Sequence, residues 1–276
     1  MTDLVAVAHG TVDPRGIAAV HELVREMSRR RPDLAVSLGF VDLQRPALPD
    51  LVQRVTTDAD RAIVVPLLLS AGYHVYVDVA AEVWRHRGLV HAAGALGPDP
   101  LLVEILADRL GDLSGVDSVV LAAAGSSDPR ALADCETTAE LLSDRVDRPV
   151  TVGYISGTGE RLPSVLTRTP GRVAVATYLL APGFFHTLIH RHAGSRFVSA
   201  PLAPDPRLAT LALHRYDEAL HRNDTAHRND TAHRNDTVQH PTVQHPTVQH
   251  PTVQHPTVQH PTVQHPTVQH PASLAV

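Results

Sequence analysis

The chain has 276 residues, of which 43% are hydrophobic and 19% charged, a composition that fits a folded globular core and excludes a chain disordered throughout. One cysteine excludes a disulfide framework or a CxxC zinc ribbon, and a net charge of −5 with 4% aromatic residues and no basic cluster excludes a nucleic-acid surface. All 24 basic residues are arginine, so any strong cationic partner for an acidic ligand must be a guanidinium.

Met-Thr-Asp runs directly into Leu4–Val7 without a basic leader or a cleavage signal. The uncharged run Ala62–Val77 is short and is interrupted by Pro66, Ser70, Gly72 and His74, so it does not read as a membrane span. A cytoplasmic protein with no membrane partner is expected. In chain order, short β-branched runs alternate with helical patterns. Strands are predicted at Leu4–Ala8, Ala35–Val41, Arg61–Pro66 and Val90–Leu96. Between the first two, Ile17, Val20, Val24 and Met27 recur at helical spacing, with Glu22, Arg25, Glu26 and Arg29 on the other face. Asp13-Pro14 supplies a cap and a first-turn proline, and Asp99-Pro100, Asp128-Pro129 and Asp205-Pro206 repeat that start signal.

The pattern is then written a second time. Residues 8–15, AHGTVDPR, correspond to 123–130, AAGSSDPR; residues 65–72 correspond to 176–183; Gly97–Pro100 corresponds to Ala203–Pro206. Strand-helix alternation implies right-handed crossovers and parallel sheets covered on both faces. The expectation is an α/β protein of two similar doubly wound domains, residues 1–115 and 116–220, with flavodoxin-like strand order 2-1-3-4 and a cleft between them. A monomer with pseudo-two-fold domain pairing is expected.

From His221 onward the chain is low-complexity: HRNDTA twice, HRNDT once, then TVQHP in tandem from Thr237 to Pro271. A proline in every five residues forbids a continuous helix, and the repeats hold no large apolar side chain except valine, so a disordered His-rich tail over 221–276 is expected. The tail either gathers metal ions or records tandem duplication in the gene. The three Asn-Asp-Thr sequons at Asn223, Asn229 and Asn235 carry little meaning without a secretion signal.

In open α/β sheets ligands bind past the carboxyl ends of the strands, where strand order reverses. That rule brings together His9 after the first strand, Asp42 after the second and His74 after the third. Two neutral imidazoles and a carboxylate can ligate a divalent metal or accept protons near neutral pH. Asp78, four residues after His74, is placed to orient that imidazole. Arg15 and Arg45 lie on the same loops and are candidates for pairing with carboxylates of a substrate.

In the second copy Ala124 stands in place of His9 and Phe185 in place of His74, so that half reads as a degenerate domain that closes the cleft. His186, His190 and His192 follow at mixed spacing, and only the first two share a helix face; the three read as a solvated face, with a metal-binding role as the alternative. His21, His86, His91 and His214 read as ordinary polar residues. Cys135 reads as a core residue, Gly157-Thr158-Gly159 lacks a nucleotide fingerprint, and Gly125-Ser126-Ser127 lacks a nucleophile elbow.

Val7–Thr11, Gly39–Asp42 and Val65–Val79 together resemble the sirohydrochlorin chelatase family of class II tetrapyrrole chelatases, in its long duplicated form and over about residues 1–220. The resemblance implies a lyase that inserts Co2+ or Fe2+, with Ni2+ a further candidate, into the tetrapyrrole sirohydrochlorin on the way to cobalamin or sirohaem. No prosthetic group is implied, and the metal is a substrate. The resemblance puts the family's two active-site histidines, and its metal ligands, at His9 and His74. Its nearby glutamate falls on Asp42, one methylene shorter. Some members also end in histidine-rich tails. The competing reading is a metal-binding or metal-delivery protein with the same fold and no turnover.

Overall fold

A computed structural model describes residues 2–57, 61–70, 72 and 79–236. The first half runs β1 (Thr2–Ala8), α1 (Pro14–Arg30), β2 (Val36–Phe40), α2 (Leu48–Val55), β3 (Arg61–Pro66), α3 (Ala80–Arg85), β4 (Val90–Ala92) and α4 (Pro100–Leu110). The second runs β5 (Ser118–Ala123), α5 (Pro129–Val146), β6 (Val150–Tyr154), α6 (Leu162–Arg168), β7 (Val173–Tyr178), α7 (Phe184–Ala193) and α8 (Pro206–Asp236). Every strand pairing is parallel, in the orders β2-β1-β3-β4 and β6-β5-β7, which is the flavodoxin-like order expected from the helical crossovers.

The four Asp-Pro signals act as read. The carboxylates of Asp13, Asp99, Asp128 and Asp205 each accept from the backbone N–H two residues on, at 2.9, 2.9, 2.9 and 3.0 Å, which satisfies a donor that the first turn leaves open. Helix positions therefore repeat between halves because the cap chemistry repeats.

Strand alternation partitions the core. On β1, Leu4, Ala6 and Ala8 face one continuous cluster while Val5 and Val7 face another. On β5, Val119, Leu121 and Ala123 join that same continuous cluster while Val120 and Ala122 face a third. The shared cluster is filled by α1, α4, α5 and α8, with Leu23, Leu106, Leu142 and Leu208 all essentially inaccessible, so the two sheets meet on a common layer of helices. Each sheet is buried on both faces, which accounts for its near-continuous apolar strands.

Three features differ from expectation. β4 stops at Ala92 rather than Leu96, because its partner β3 ends at Pro66, which has no N–H to continue the ladder; Leu96 N–H instead reaches the Leu68 carbonyl at 2.8 Å. In the second half a fourth strand is reduced to a single bridge between Val175 and Val198. And α8 does not end where the repeats begin at His221 but continues through the HRNDT units to Asp236. Those units hold no proline or glycine and continue a helix whose nucleation is already met by buried Leu208, Leu211, Ala212 and Tyr216; Asn223, in the first unit, is itself buried. The TVQHP repeats lie outside the described residues. Met1–Ala232 forms one compact unit, and His233–Val276 is a separate one of which only the end of α8 is described. Among the described residues no helix is long and apolar enough to cross a membrane.

Candidate active site

At the carboxyl end of β1 the chain leaves the sheet at His9 and enters α1 at Pro14. The connecting loop is fastened to its neighbour: Val41 N–H donates to the Ala8 carbonyl at 3.0 Å and Asp42 N–H to the His9 carbonyl at 3.1 Å. Gly10 has φ +99°, and a Cβ there would come within 2.6 Å of the Asp42 carbonyl, so both the turn and the close approach require glycine. Thr11 N–H donates to Gln44 Oε1 at 2.9 Å, and Asp13 N–H to Thr11 Oγ1 at 3.1 Å. The exposed imidazole of His9 is thus carried by a backbone that is tied on both sides.

His9 borders a cavity of about 610 Å³ enclosed by both halves of the chain, a size ordinary for a small-molecule site. Its interior is mainly apolar. Val20 of α1 and Cys135 of α5 lie at the floor, and Leu69 meets Tyr178 across it, where the Tyr178 hydroxyl donates to the Leu69 carbonyl at 2.8 Å. Burial pushes the Tyr178 phenol far above its usual range, so it stays protonated and serves as a tie between the halves. Burial likewise pushes the Cys135 thiol up to about 12, in keeping with a core residue and not a nucleophile. Val12, Leu43 and Phe184 stand at the rim with 78%, 59% and 67% of their surface exposed, leaving apolar area open at the mouth.

The other sequence-predicted residues fall as follows. Asp42 lies against His9 through its backbone, and its exposed carboxylate accepts from Leu43 N–H at 2.8 Å. Arg15 is exposed and clasps Asp13 at 2.8 Å, and that guanidinium, with the cap hydrogen bond, holds the Asp13 carboxyl down at about 2. Arg45 is exposed and pairs with Asp50 at 3.2 Å. Neither guanidinium borders the cavity; Arg15 is engaged by the cap residue of its own helix and Arg45 by Asp50 in the first turn of α2. His74 and Asp78 lie outside the described residues. Among the described residues no three His, Cys, Asp or Glu side chains converge as a metal-binding group.

The second half contributes Ala124, Ser126 and Ser156 to the same cavity. Ser126 Oγ accepts from Asp128 N–H at 3.0 Å and Ser156 Oγ donates to the Ala124 carbonyl at 2.7 Å, so both hydroxyls serve the backbone and neither is set up as a nucleophile. His186, read from sequence as part of a solvated face, instead borders the cavity and is half-buried, whereas His190 and His192 are exposed. Burial, then the neighbouring His190 and Arg15, lower the His186 pKa, opposed by Asp13. The helix spacing of His186 and His190 was legible; which face of α7 meets the cleft was not.

Two flavodoxin-like sheets sharing a helical layer and enclosing one cleft, with an imidazole past the end of the first strand, define a chelatase-like α/β protein. SirB from Bacillus subtilis with Fe3+ has the same fold, with a TM-score of 0.68 at 20% identity, covering 79% of this chain and 95% of SirB. The SirB sirohydrochlorin chelatase from Bacillus subtilis subspecies spizizenii, in complex with cobalt, gives 0.64 at 21% identity, covering 79% and 94%.

More particularly, the chain belongs to the CbiX family, whose model matches residues 3–113 and again residues 118–219. The double match coincides with the duplication visible in the sequence. Among similar proteins, the sirohydrochlorin cobaltochelatase of Sulfolobus acidocaldarius is 28% identical over 112 residues, 40% of this chain and 89% of that protein. The sirohydrochlorin cobaltochelatase of Methanothermobacter thermautotrophicus is 25% identical over 125 residues, 38% of this chain and 87% of that protein.

Proposed function

We propose that the protein is a chelatase that inserts a divalent metal, Co2+ or Fe2+, into sirohydrochlorin in cobalamin or sirohaem biosynthesis. The observation that carries this reading is His9, held on the tied loop past β1 and opening onto an apolar cavity bounded by both halves of a CbiX-family chain. A flat macrocycle has apolar faces that suit the exposed Val12, Leu43 and Phe184 and a carboxylate periphery that suits arginine. Arg15 and Arg45 are the proposed partners, and each must exchange Asp13 or Asp50 for a substrate carboxylate.

The reaction takes one divalent ion and a macrocycle with two inner N–H groups to the metallated macrocycle and two protons. Neutral imidazole can both ligate the ion and accept a proton, so His9 and His74 are assigned as metal ligands and bases on one side of the ring. Asp42, whose backbone abuts His9, is assigned an auxiliary carboxylate role, and Asp78 the orientation of His74. Both halves of one chain supply the cleft walls, so a monomer is sufficient for the site.

The test is to incubate the purified full chain with sirohydrochlorin and Co2+ or Fe2+ and to follow the macrocycle absorbance. Turnover above the uncatalysed rate is expected. Binding of metal and macrocycle without turnover would identify a metal carrier and overturn the proposal.

A further inference from the structure

We propose that His186 and His190 form a second binding site for a divalent transition-metal ion, on the wall of the cleft contributed by the second half of the chain. The inference goes beyond the chelatase reading, because it concerns a pair of ligands on a different element from His9 and requires no macrocycle.

The geometry is that of a chelating pair. The two Nε2 atoms are 3.1 Å apart, with ring centroids 4.6 Å apart and ring planes inclined at 68°. Two imidazole nitrogens each about 2.1 Å from one metal ion stand roughly 3.0 Å apart at a right-angled bite and roughly 3.4 Å apart at a tetrahedral one. The observed separation lies between these limits, so the two nitrogens already stand at chelating distance, and the rings need to turn their lone pairs toward a common point to seat an ion. Without an ion, one Nε2–H donates to the other Nε2. On binding, the donor ring adopts its Nδ1–H tautomer, both Nε2 lone pairs turn to the metal, and no net proton is released. Ions that favour imidazole, such as Co2+, Ni2+ and Zn2+, are the class selected.

The surroundings support a site where ions bind and leave. The Pro182–Gly183 turn that starts α7 packs on the first half: a Cβ at Gly16 would strike the Pro182 carbonyl, and one at Gly183 would sit 3.1 Å from Thr11 Oγ1. That contact brings His186 beside the His9 loop. The charged and titratable groups facing His186 are His190 on its own helix and Arg15 and Asp13 from the first half. With two protein nitrogens and no third ligand among the described residues, the remaining positions are left to water or to carboxylates of a ligand, as suits a loading position at the mouth of a shared cavity.

Trypsin releases His186 and His190 on one peptide, Val173–Arg191, which contains no other histidine, so carbethoxylation of histidines by diethyl pyrocarbonate reads this pair within the full chain despite the repeats. Saturating Co2+ is expected to slow modification of both residues at least about tenfold. In His190→Ala, modification of His186 is expected to lose its response to Co2+. In His9→Ala/His74→Ala the protection is expected to persist. Equal modification with and without Co2+ would overturn the proposal, as would protection that disappears in the His9/His74 variant, since the ion would then sit on those ligands. Protection in a chain that shows no turnover would refute the chelatase reading and leave the second site standing.

Discussion

At the end of β1, Asp42 N–H donates to the His9 carbonyl at 3.1 Å; at the end of β5, Ser156 N–H donates to the Ala124 carbonyl at 2.8 Å. The next contacts also match, with Asp13 N–H on Thr11 Oγ1 and Asp128 N–H on Ser126 Oγ, and each aspartate caps the helix that follows. The two halves thus keep the same main-chain scaffold, while the imidazole and carboxylate of one become a methyl and a hydroxyl in the other. The fold demands the turn and the cap, because unpaired backbone groups at strand ends are expensive. It makes no demand on the side chain at the tip. A strand-end loop is therefore a place where duplicated domains can divide labour, one keeping the reactive group and the other shaping the wall opposite.

The sharpest way to break that comparison is to exchange the tips. His9→Ala is expected to lower the chelation rate at least about 100-fold while leaving the thermal transition in place, because His9 is exposed and only its side chain changes. Adding Ala124→His to His9→Ala should restore nothing, since the second half offers Ser156 where the first offers Asp42. Recovery of rate in the double variant, measured by macrocycle absorbance, would show that the halves are equivalent and that His9 is not special.

The next effect concerns what joins the halves. Leu67 and Tyr178 hold corresponding places just past Pro66 and Thr177, yet only Tyr178 reaches across, to the Leu69 carbonyl at 2.8 Å. Tyr178→Phe leaves that carbonyl without its phenol donor and should destabilise the chain by about 1–3 kcal/mol, read by denaturant unfolding. An unchanged midpoint would mean that the tie is dispensable and that the shared helical core alone holds the halves together.

Much of this is legible in the sequence. Strand runs and Asp-Pro starts carry local signals, since β-branched stretches and first-turn capping are short-range chemistry, and the duplication multiplied each signal by two. The end of α8 was not legible, because the HRNDT units have no apolar period and are helical by continuation from a packed segment. Nor was the engagement of Arg15 by Asp13 and of Arg45 by Asp50, since the sequence places both arginines near the strand ends without showing that a nearby acid holds each of them. The surroundings of His186 are hidden from the sequence for a related reason: helix spacing defines a face, but only the packing of Pro182–Gly183 on the first half decides what that face meets.

The caps should behave alike where the tips do not. Asp13→Ala and Asp128→Ala are each expected to lower Tm by about 2–4 °C, with only the first also affecting rate by freeing Arg15. The Asp13 carboxyl is held at about 2, below its unfolded value, so its contribution to stability is present above about pH 4 and is lost as pH falls toward 2. The Tm difference between the natural chain and Asp13→Asn should narrow over that window, and a difference that stays constant would show that the ionised carboxylate is not the cap.

The smallest effect lies at the cavity floor, where Val20 and Cys135 occupy the same place relative to the first prolines of α1 and α5 and are 6% and 4% exposed. If the two are equivalent as apolar packing, Cys135→Val should change stability by less than about 1.5 kcal/mol and leave the rate unaltered. The thiol gives a finer test. Raised to about 12, it is ionised to roughly one part in ten thousand at pH 8, against roughly a quarter for an ordinary cysteine, so alkylation by iodoacetamide should be slow in the folded chain. The rate should climb about tenfold per pH unit while the fold persists, because the thiolate is the nucleophile and its fraction grows in that proportion below the pKa. Rapid labelling at pH 8 would place water at the floor of the cleft, and the mainly apolar lining on which the macrocycle proposal depends would then have to be abandoned.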